Sequence, residues 1–160
     1  MIIFINGSIN SGKSTVSKLL AEKLPNSALV EVDSFHECIE WMPIDQAVPF
    51  NLENAVSVIK NFVRRSLNVI VPYPLSQKNY EMLMSNLEPL RQKIFVFTLS
   101  PPLEIALSNR GGRELTEEEK KRIRYHYSIG INTPEFGVII DNAHQTPSET
   151  AESIFDAIDV

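Results

Sequence analysis

Only one cysteine, Cys38, occurs among the 160 residues. That excludes an internal disulfide framework and a multi-cysteine zinc site. No apolar run approaches the roughly eighteen residues that a membrane span needs. The apolar opening Met1–Ile5 meets Asn6 and Gly7 too soon, and without a basic flank, to read as a signal peptide. Positive charge is also short: fifteen Lys and Arg against twenty Asp and Glu leave a net charge of −5. A general nucleic-acid binder concentrates Lys and Arg on one face, so that class is excluded. Repeats, low-complexity tracts and linkers are absent as well. The expectation is one cytoplasmic domain over residues 1–160, with neither nucleic acid nor membrane as partner. Monomer and homodimer are equally compatible with it.

What is present alternates between strand-like and helix-like stretches. Ile2-Ile3-Phe4-Ile5 is a continuous apolar run suited to a central parallel strand. Lys13–Leu24 carries Val16, Leu19, Leu20 and Leu24 near a 3.6-residue period, and Pro25-Asn26 ends it. Ala28–Val32 returns to strand. Cys38–Phe50 reads as a long loop, after which Asn51 caps a helix through Ser66 with Ala55, Val58, Ile59, Phe62 and Val63 inward. Val69–Val71 is the third strand, Ser76–Leu87 a helix, Ile94–Leu99 the fourth strand and Pro101–Asn109 the helix after it. Thr116 and Glu119 have capping-box spacing at the head of a polar helix to Tyr127. Phe136–Ile140 is the last strand, and Pro147 opens a final helix with Ala151, Ile154, Phe155 and Ile158 inward. Five strands with intervening helices predict a three-layer α/β domain with a parallel sheet.

Gly7-Ser8-Ile9-Asn10-Ser11-Gly12-Lys13-Ser14 fits the pattern G-x-x-x-x-G-K-[ST] without a mismatch, between a strand and a helix. Glycines let backbone N–H groups converge on phosphate oxygens, and the helix terminus adds unpaired donors. Lys13 reaches the outer phosphates, the Ser14 hydroxyl can ligate Mg²⁺, and Thr15 continues the cradle. ATP with Mg²⁺ is the expected cofactor. The competing reading, a Gly/Ser turn with a surface lysine, does not explain the complete motif in this context.

Asp33 follows the second strand on the face that the phosphate loop occupies. A carboxylate there can take a proton from an acceptor hydroxyl or hold the metal, and it can also cap Ser34–Ile39. His36 and Glu40 share a helical face that reads as solvated or substrate-lining, and Cys38 as a buried or half-buried small residue. From Leu24 to Ile59 there is no Lys or Arg, while Glu31, Asp33, Glu37, Glu40, Asp45 and Glu53 supply six carboxylates. Phosphate-bearing acceptors call for Arg or Lys. The span therefore favours a neutral or cationic alcohol, unless Arg64 and Arg65 face the cleft.

Arg110-Gly111-Gly112-Arg113 precedes the polar helix and forms a candidate lid over 110–127. Arg110 and Arg113 would neutralise charge during phosphoryl transfer. Arg122 and Arg124 either join them or stay on a solvated face, while Tyr125 and Tyr127 pack the helix. The loop Asp141–Pro147, with Asn142 and Thr146, is placed to pass beside a nucleotide base.

Together Gly7–Ser14, Asp33, Arg110–Arg113 and Asp141–Pro147 resemble the small P-loop phosphotransferases, among them shikimate, gluconate, adenylate and chloramphenicol kinases. Met1–Gly7 and Val32-Asp33-Ser34-Phe35 look most like chloramphenicol phosphotransferase-like proteins, and Arg110–Leu115 like the arginine lid of shikimate kinases. The resemblance implies strand order 2-3-1-4-5, and it implies that Asp33 is the base activating the acceptor hydroxyl. It departs at Pro72-Tyr73-Pro74, where the superfamily often has an acidic residue, which leaves metal contact to Ser14, Asp33 and water. The implied activity moves the terminal phosphoryl group of MgATP to a hydroxyl of a small non-phosphorylated molecule. A nucleoside or nucleoside-monophosphate kinase, and a nucleotide-dependent NTPase switch, stay open as alternatives.

Overall fold

β1 (Ile2–Gly7) is buried along its whole length because it lies in the middle of the sheet, hydrogen-bonded to a parallel neighbour on each side. The computed structural model describes residues 1–109 and 114–158. After β1 come α1 (Lys13–Lys23), β2 (Ser27–Leu29), a 3-10 helix (Val32–Ile39) and α2 (Ile44–Val63). Then follow β3 (Asn68–Pro72), α3 (Gln77–Leu87), a 3-10 turn (Glu88–Leu90), β4 (Ile94–Leu99) and α4 (Leu103–Ala106). The chain closes with α5 (Glu117–Ser128), β5 (Val138–Ile140) and α6 (Pro147–Ala157). The sheet runs β2-β3-β1-β4-β5, all parallel, which is the expected order.

Alternation along β1 builds the two cores. Ile2 and Phe4 point into a cluster with Leu52 and Ile59 of α2 and Leu83 and Leu87 of α3. Ile3 and Ile5 point the other way, against Val16 and Leu20 of α1 and Ala151 and Ile154 of α6. A third, small cluster of Ala106, Leu115 and Ile123 packs α4 and α5 beside Ile9. Among the described residues no helix is long and apolar enough to cross a membrane.

The largest correction concerns Cys38–Phe50. It is not a loop: the 3-10 helix takes its first residues and α2 begins at Ile44. Pro49 lies inside α2, where it removes one backbone hydrogen bond and normally breaks a helix. Here Ala47, Leu52, Ala55, Val56 and Ile59 are all buried on one stripe of α2, and that burial outweighs the lost bond. Asn51 is therefore a buried mid-helix residue and not a cap. β2 is shorter than Ala28–Val32 because, as an edge strand, it pairs only with β3, and its register ends at Leu29 opposite Ile70. The segment expected to be helical over Pro101–Asn109 holds only the four-residue α4. Cys38 and Tyr125 are exposed, against expectation, whereas the Tyr127 hydroxyl donates to the Pro101 carbonyl. The capping box at Thr116 forms as its spacing predicts, and a second one forms at Thr146.

β5 starts only at Val138 because Gly137 turns the chain at φ 73°, where a Cβ would lie 2.5 Å from the Val96 carbonyl oxygen. Strain and overlap against backbone cannot both relax. Gly137→Ala is expected to destabilise the protein by about 2 kcal/mol, read from urea unfolding.

Candidate functional site

The chain leaves β1 at Gly7, where a Cβ would sit 2.6 Å from both the Leu99 carbonyl oxygen and Ser11 Oγ. Only glycine allows the turn to tuck under the sheet there. The loop then climbs through Asn10, at φ 61°, to Gly12, which precedes α1. α1 has no side-chain cap and no acidic residue in its first turn. Its leading N–H groups therefore point outward at the positive end of the helix dipole. The loop is held from several sides. Asn10 Nδ2 donates to the carbonyls of Ala106 and Ser108, each at 2.8 Å, and Asn142 Nδ2 donates to the Ser11 carbonyl at 2.9 Å. Ser11 Oγ is buried with no partner among the described residues. The result is a preformed anion cradle.

Lys13 folds over this cradle and donates to the Ser8 carbonyl at 2.6 Å. Burial lowers its ammonium to about 8, opposed by the nearby charges of Asp33 and Glu31. Asp33 thus stands within electrostatic reach of Lys13, although it sits in the 3-10 helix, four residues past the end of β2. It is exposed and does not cap that helix; Glu31 occupies the cap position. Tyr73 takes the place where an acidic residue after β3 would stand. Its phenol is pushed up to about 12 by burial and then by Asp33, with Arg122 opposing, so it remains a neutral hydroxyl.

His126 closes the site from α5. Its Nδ1 lies 3.2 Å from Ser8 Oγ, and burial, Arg122 and Lys13 together lower the imidazole to about 4. Three adjoining cavities of about 250, 400 and 620 Å³ share Ile44, Arg122 and His126 as walls. The smallest is lined by Ile9 of the phosphate loop, Asp33 and Tyr73 among others. The next is largely apolar, reaching Leu52, Met82 and Ile131.

Of the residues singled out in the sequence, Gly7–Gly12, Lys13, Asp33 and Asn142 converge here. Ser14 and Thr15 lie exposed in the first turn of α1. The Thr146 hydroxyl is engaged at the head of α6, accepting from the Glu149 N–H and bonding Glu149 Oε2. Arg110 and Arg113 lie outside the described residues. Arg64 and Arg65 follow the far end of α2, about 20 Å along the axis from Asn51 at 1.5 Å per residue, and are exposed. The cleft also takes Arg122 and His36, which the sequence left open between site and surface, together with Tyr73, His126 and Asn51. None of these carries a motif. They meet only because four separate elements end on one edge of the sheet.

Among the described residues no group of three or more His, Cys, Asp or Glu is placed to hold a metal by itself. A hydroxyl at Ser14 and the carboxylates of Asp33 and Glu31 near Lys13 suit a metal that arrives on phosphate oxygens.

The family of chloramphenicol phosphotransferase-like proteins matches residues 1–159. No curated protein sequence matches the chain. Among solved structures, it is similar to the tunicamycin resistance protein of Deinococcus radiodurans, with a TM-score of 0.72 and 24% identity over 99% of this chain and 95% of that one. A sugar kinase from Janibacter sp. HTCC2649 gives a TM-score of 0.73 and 18% identity, covering 97% and 92%. The APS kinase of Mycobacterium tuberculosis, in complex with AMPPNP and APS, gives 0.67 and 17%, covering 97% and 95%. At these identities the shared property is the fold.

The buried neutral imidazole fixes a pH dependence. As pH falls below 6.5 the unfolded chain binds a proton at His126 that the native chain refuses until about 4. Stability is therefore lost between these values and levels off below them. In His126→Gln that part of the slope is expected to vanish, measured as urea midpoints from pH 7 to 4; parallel profiles would contradict it.

Proposed function

The chain belongs to the chloramphenicol phosphotransferase-like family, and on that premise we propose that it is an ATP-dependent kinase of a small non-phosphorylated alcohol. The observation that carries the reading is the place of Asp33, in a cavity lined by Ile9 of the phosphate loop and within electrostatic reach of Lys13. The cradle lies on one side and an open, mainly apolar cavity on the other.

In this reading the N–H groups of Gly7–Ser14 hold the phosphates, and Lys13 swings from the Ser8 carbonyl to the outer phosphate oxygens. Ser14 and Asp33 would hold Mg²⁺, which would supply charge neutralisation when bound with the nucleotide. Asp33 accepts the proton of the acceptor hydroxyl as its oxygen bonds to the terminal phosphorus; the bond to the ADP oxygen breaks and ADP leaves. Arg110 and Arg113 counter charge on the migrating group from a lid over 110–127. Asn142, already bonded to the Ser11 carbonyl, steadies the loop beside the base, and Thr146 supports the following turn.

The acceptor side favours a neutral or cationic molecule over a phosphate-bearing one. Asp33, His36, Ile44, Val48 and Asn51 all come from the Lys/Arg-free span, and among the described residues Arg122 alone of Lys and Arg lines the inner cavity. A phosphate on the acceptor would have one guanidinium and a nearby carboxylate to face.

Lys13 supplies a direct test. A phosphate beside the ammonium favours its charged form, so MgATP binding near pH 8.5 is expected to take up a proton. Calorimetry in buffers of different ionisation enthalpy reads this uptake, and Lys13→Ala should lose both the uptake and most of the affinity. Asp33→Asn keeps size but cannot accept the proton. MgATP binding should survive while transfer to an alcohol, followed by mass spectrometry, falls roughly 10²-fold or more. Unchanged transfer would return Asp33 to a structural role, and preference for nucleoside monophosphates would overturn the alcohol acceptor.

A further inference from the structure

Ser8 is completely buried, so the proton of its hydroxyl needs an acceptor inside the protein. Among the described residues its one side-chain partner is His126 Nδ1, at 3.2 Å. The hydroxyl therefore donates to Nδ1, and in an uncharged imidazole the ring proton then sits on Nε2. Ser8 fixes the tautomer. His126 is itself 5% exposed. Its Nε2 makes no hydrogen bond among the described residues. Unlike Ser11 Oγ, that nitrogen is not sealed off, and the ring lines all three cavities. An oriented N–H donor without an acceptor is thus left at the wall of the cleft, a costly arrangement that a ligand completes.

The surroundings of that donor say which ligand. Ser8 also holds Lys13, whose ammonium donates to its carbonyl at 2.6 Å, so ring and ammonium meet on one residue. Arg122, one turn earlier on α5, lines the same three cavities and makes no ion pair among the described residues. Three donors, two of them cationic, gather about one space, and an anionic oxygen is the acceptor that suits all of them. We propose that His126 is a phosphate-contacting catalytic residue: with Ser8 behind it, its Nε2–H donates to an oxygen of the terminal phosphoryl group of the nucleotide. The inference rests on the kinase reading and deepens it, adding from α5 a donor that no motif marks. Being uncharged, the donor stabilises negative charge on the phosphoryl oxygens without repelling Lys13 or Arg122. When Lys13 leaves the Ser8 carbonyl for the phosphates, the bond to His126 keeps Ser8 in place.

The test reads the full chain first without nucleotide. Ring-¹⁵N NMR at neutral pH should find His126 protonated at Nε2 and bare at Nδ1, and Ser8→Ala should weaken that preference. Adding the magnesium complex of AMPPNP, which carries the third phosphate, should shift the Nε2 resonance, whereas MgADP should leave it nearly unmoved. Calorimetry then compares the two nucleotides in two variants. In His126→Asn the amide keeps a group where Nδ1 bonds Ser8 but nothing where Nε2 stood. Its affinity for MgAMPPNP should fall roughly tenfold or more while that for MgADP stays within about twofold. His126→Gln places an amide nearer Nε2 and should recover part of the loss. A wild-type ring protonated at Nδ1, or an Nε2 signal that ignores the third phosphate, overturns the proposal without any variant having to fold. Equal losses for both nucleotides in His126→Asn also overturn it and make His126 a structural support of the loop. A wild type that binds neither nucleotide rejects the kinase reading, and this proposal with it. Binding of both with unchanged affinities in His126→Asn rejects this proposal alone, so the two failures are separable.

Discussion

Asn6 is the fixed point from which the site is hung. It is completely buried at the end of β1, and its carboxamide uses both ends. Nδ2 donates to Thr98 Oγ1 at 2.9 Å and to the Ile131 carbonyl at 3.0 Å, while Oδ1 accepts from the Leu75 N–H at 2.7 Å. One side chain thus ties the strand that launches the phosphate loop to three places: β4, the loop after β3, and the turn after α5. In a low-dielectric interior each of these bonds is stronger than in water and each is costly to leave unmade. Tyr73 and Pro74 on one wall, and Arg122 and His126 on the other, are therefore registered to the same atom group as Gly7. The cleft keeps its width because its walls share this anchor.

Around that anchor the structure gathers what a fold optimised for stability alone would avoid. Lys13 is half-buried with its ammonium lowered to about 8, His126 is held neutral, and the backbone at Asn10 takes a left-handed conformation. Ser11, His36 and Asn51 hold polar atoms that no group among the described residues satisfies. All lie at the carboxyl-terminal edge of the sheet, where β-ends and helix starts meet. The apolar stripes of α1, α2, α3 and α6 on the two faces of β1 carry the opposing stability. Strain at one edge and close packing beneath it are two sides of one arrangement.

Legibility in the sequence followed the range of the interactions. The β1–loop–α1 unit was readable because its chemistry is contained in fourteen consecutive residues, Met1–Ser14, with the spacing itself as the signal. Thr116 was readable for the same reason, since a capping box is complete within four residues. Pro49 misled because a local rule was overridden by a buried stripe that extends on both sides of it. His126 carried no local signal at all; its partner Ser8 is 118 positions away. Asn51 carried no signal for the cleft, and Arg122 read equally as a lid residue or a solvated one. Their significance appears only when parallel topology brings α5, the end of β3 and α2 to one rim.

The distribution of charge across that rim separates two kinds of recognition. On the loop side, backbone N–H groups, a helix end and Lys13 offer positive potential with little directional selectivity, which suits a polyanion held mainly by charge. On the α2 side the stretch without Lys or Arg offers a carboxylate, an imidazole, an amide and aliphatic walls, which suit a molecule recognised by shape and hydrogen bonds. Asp33 stands at the seam, close enough to Lys13 to raise its proton affinity and within the cavity that opens toward Asn51. His126, neutral and bonded to the loop at Ser8, is likewise shared by both sides. A positive imidazole there would add charge beside Lys13 and Arg122 and turn the second compartment into another anion site. Burial keeps it neutral, and the asymmetry between the compartments survives because of it.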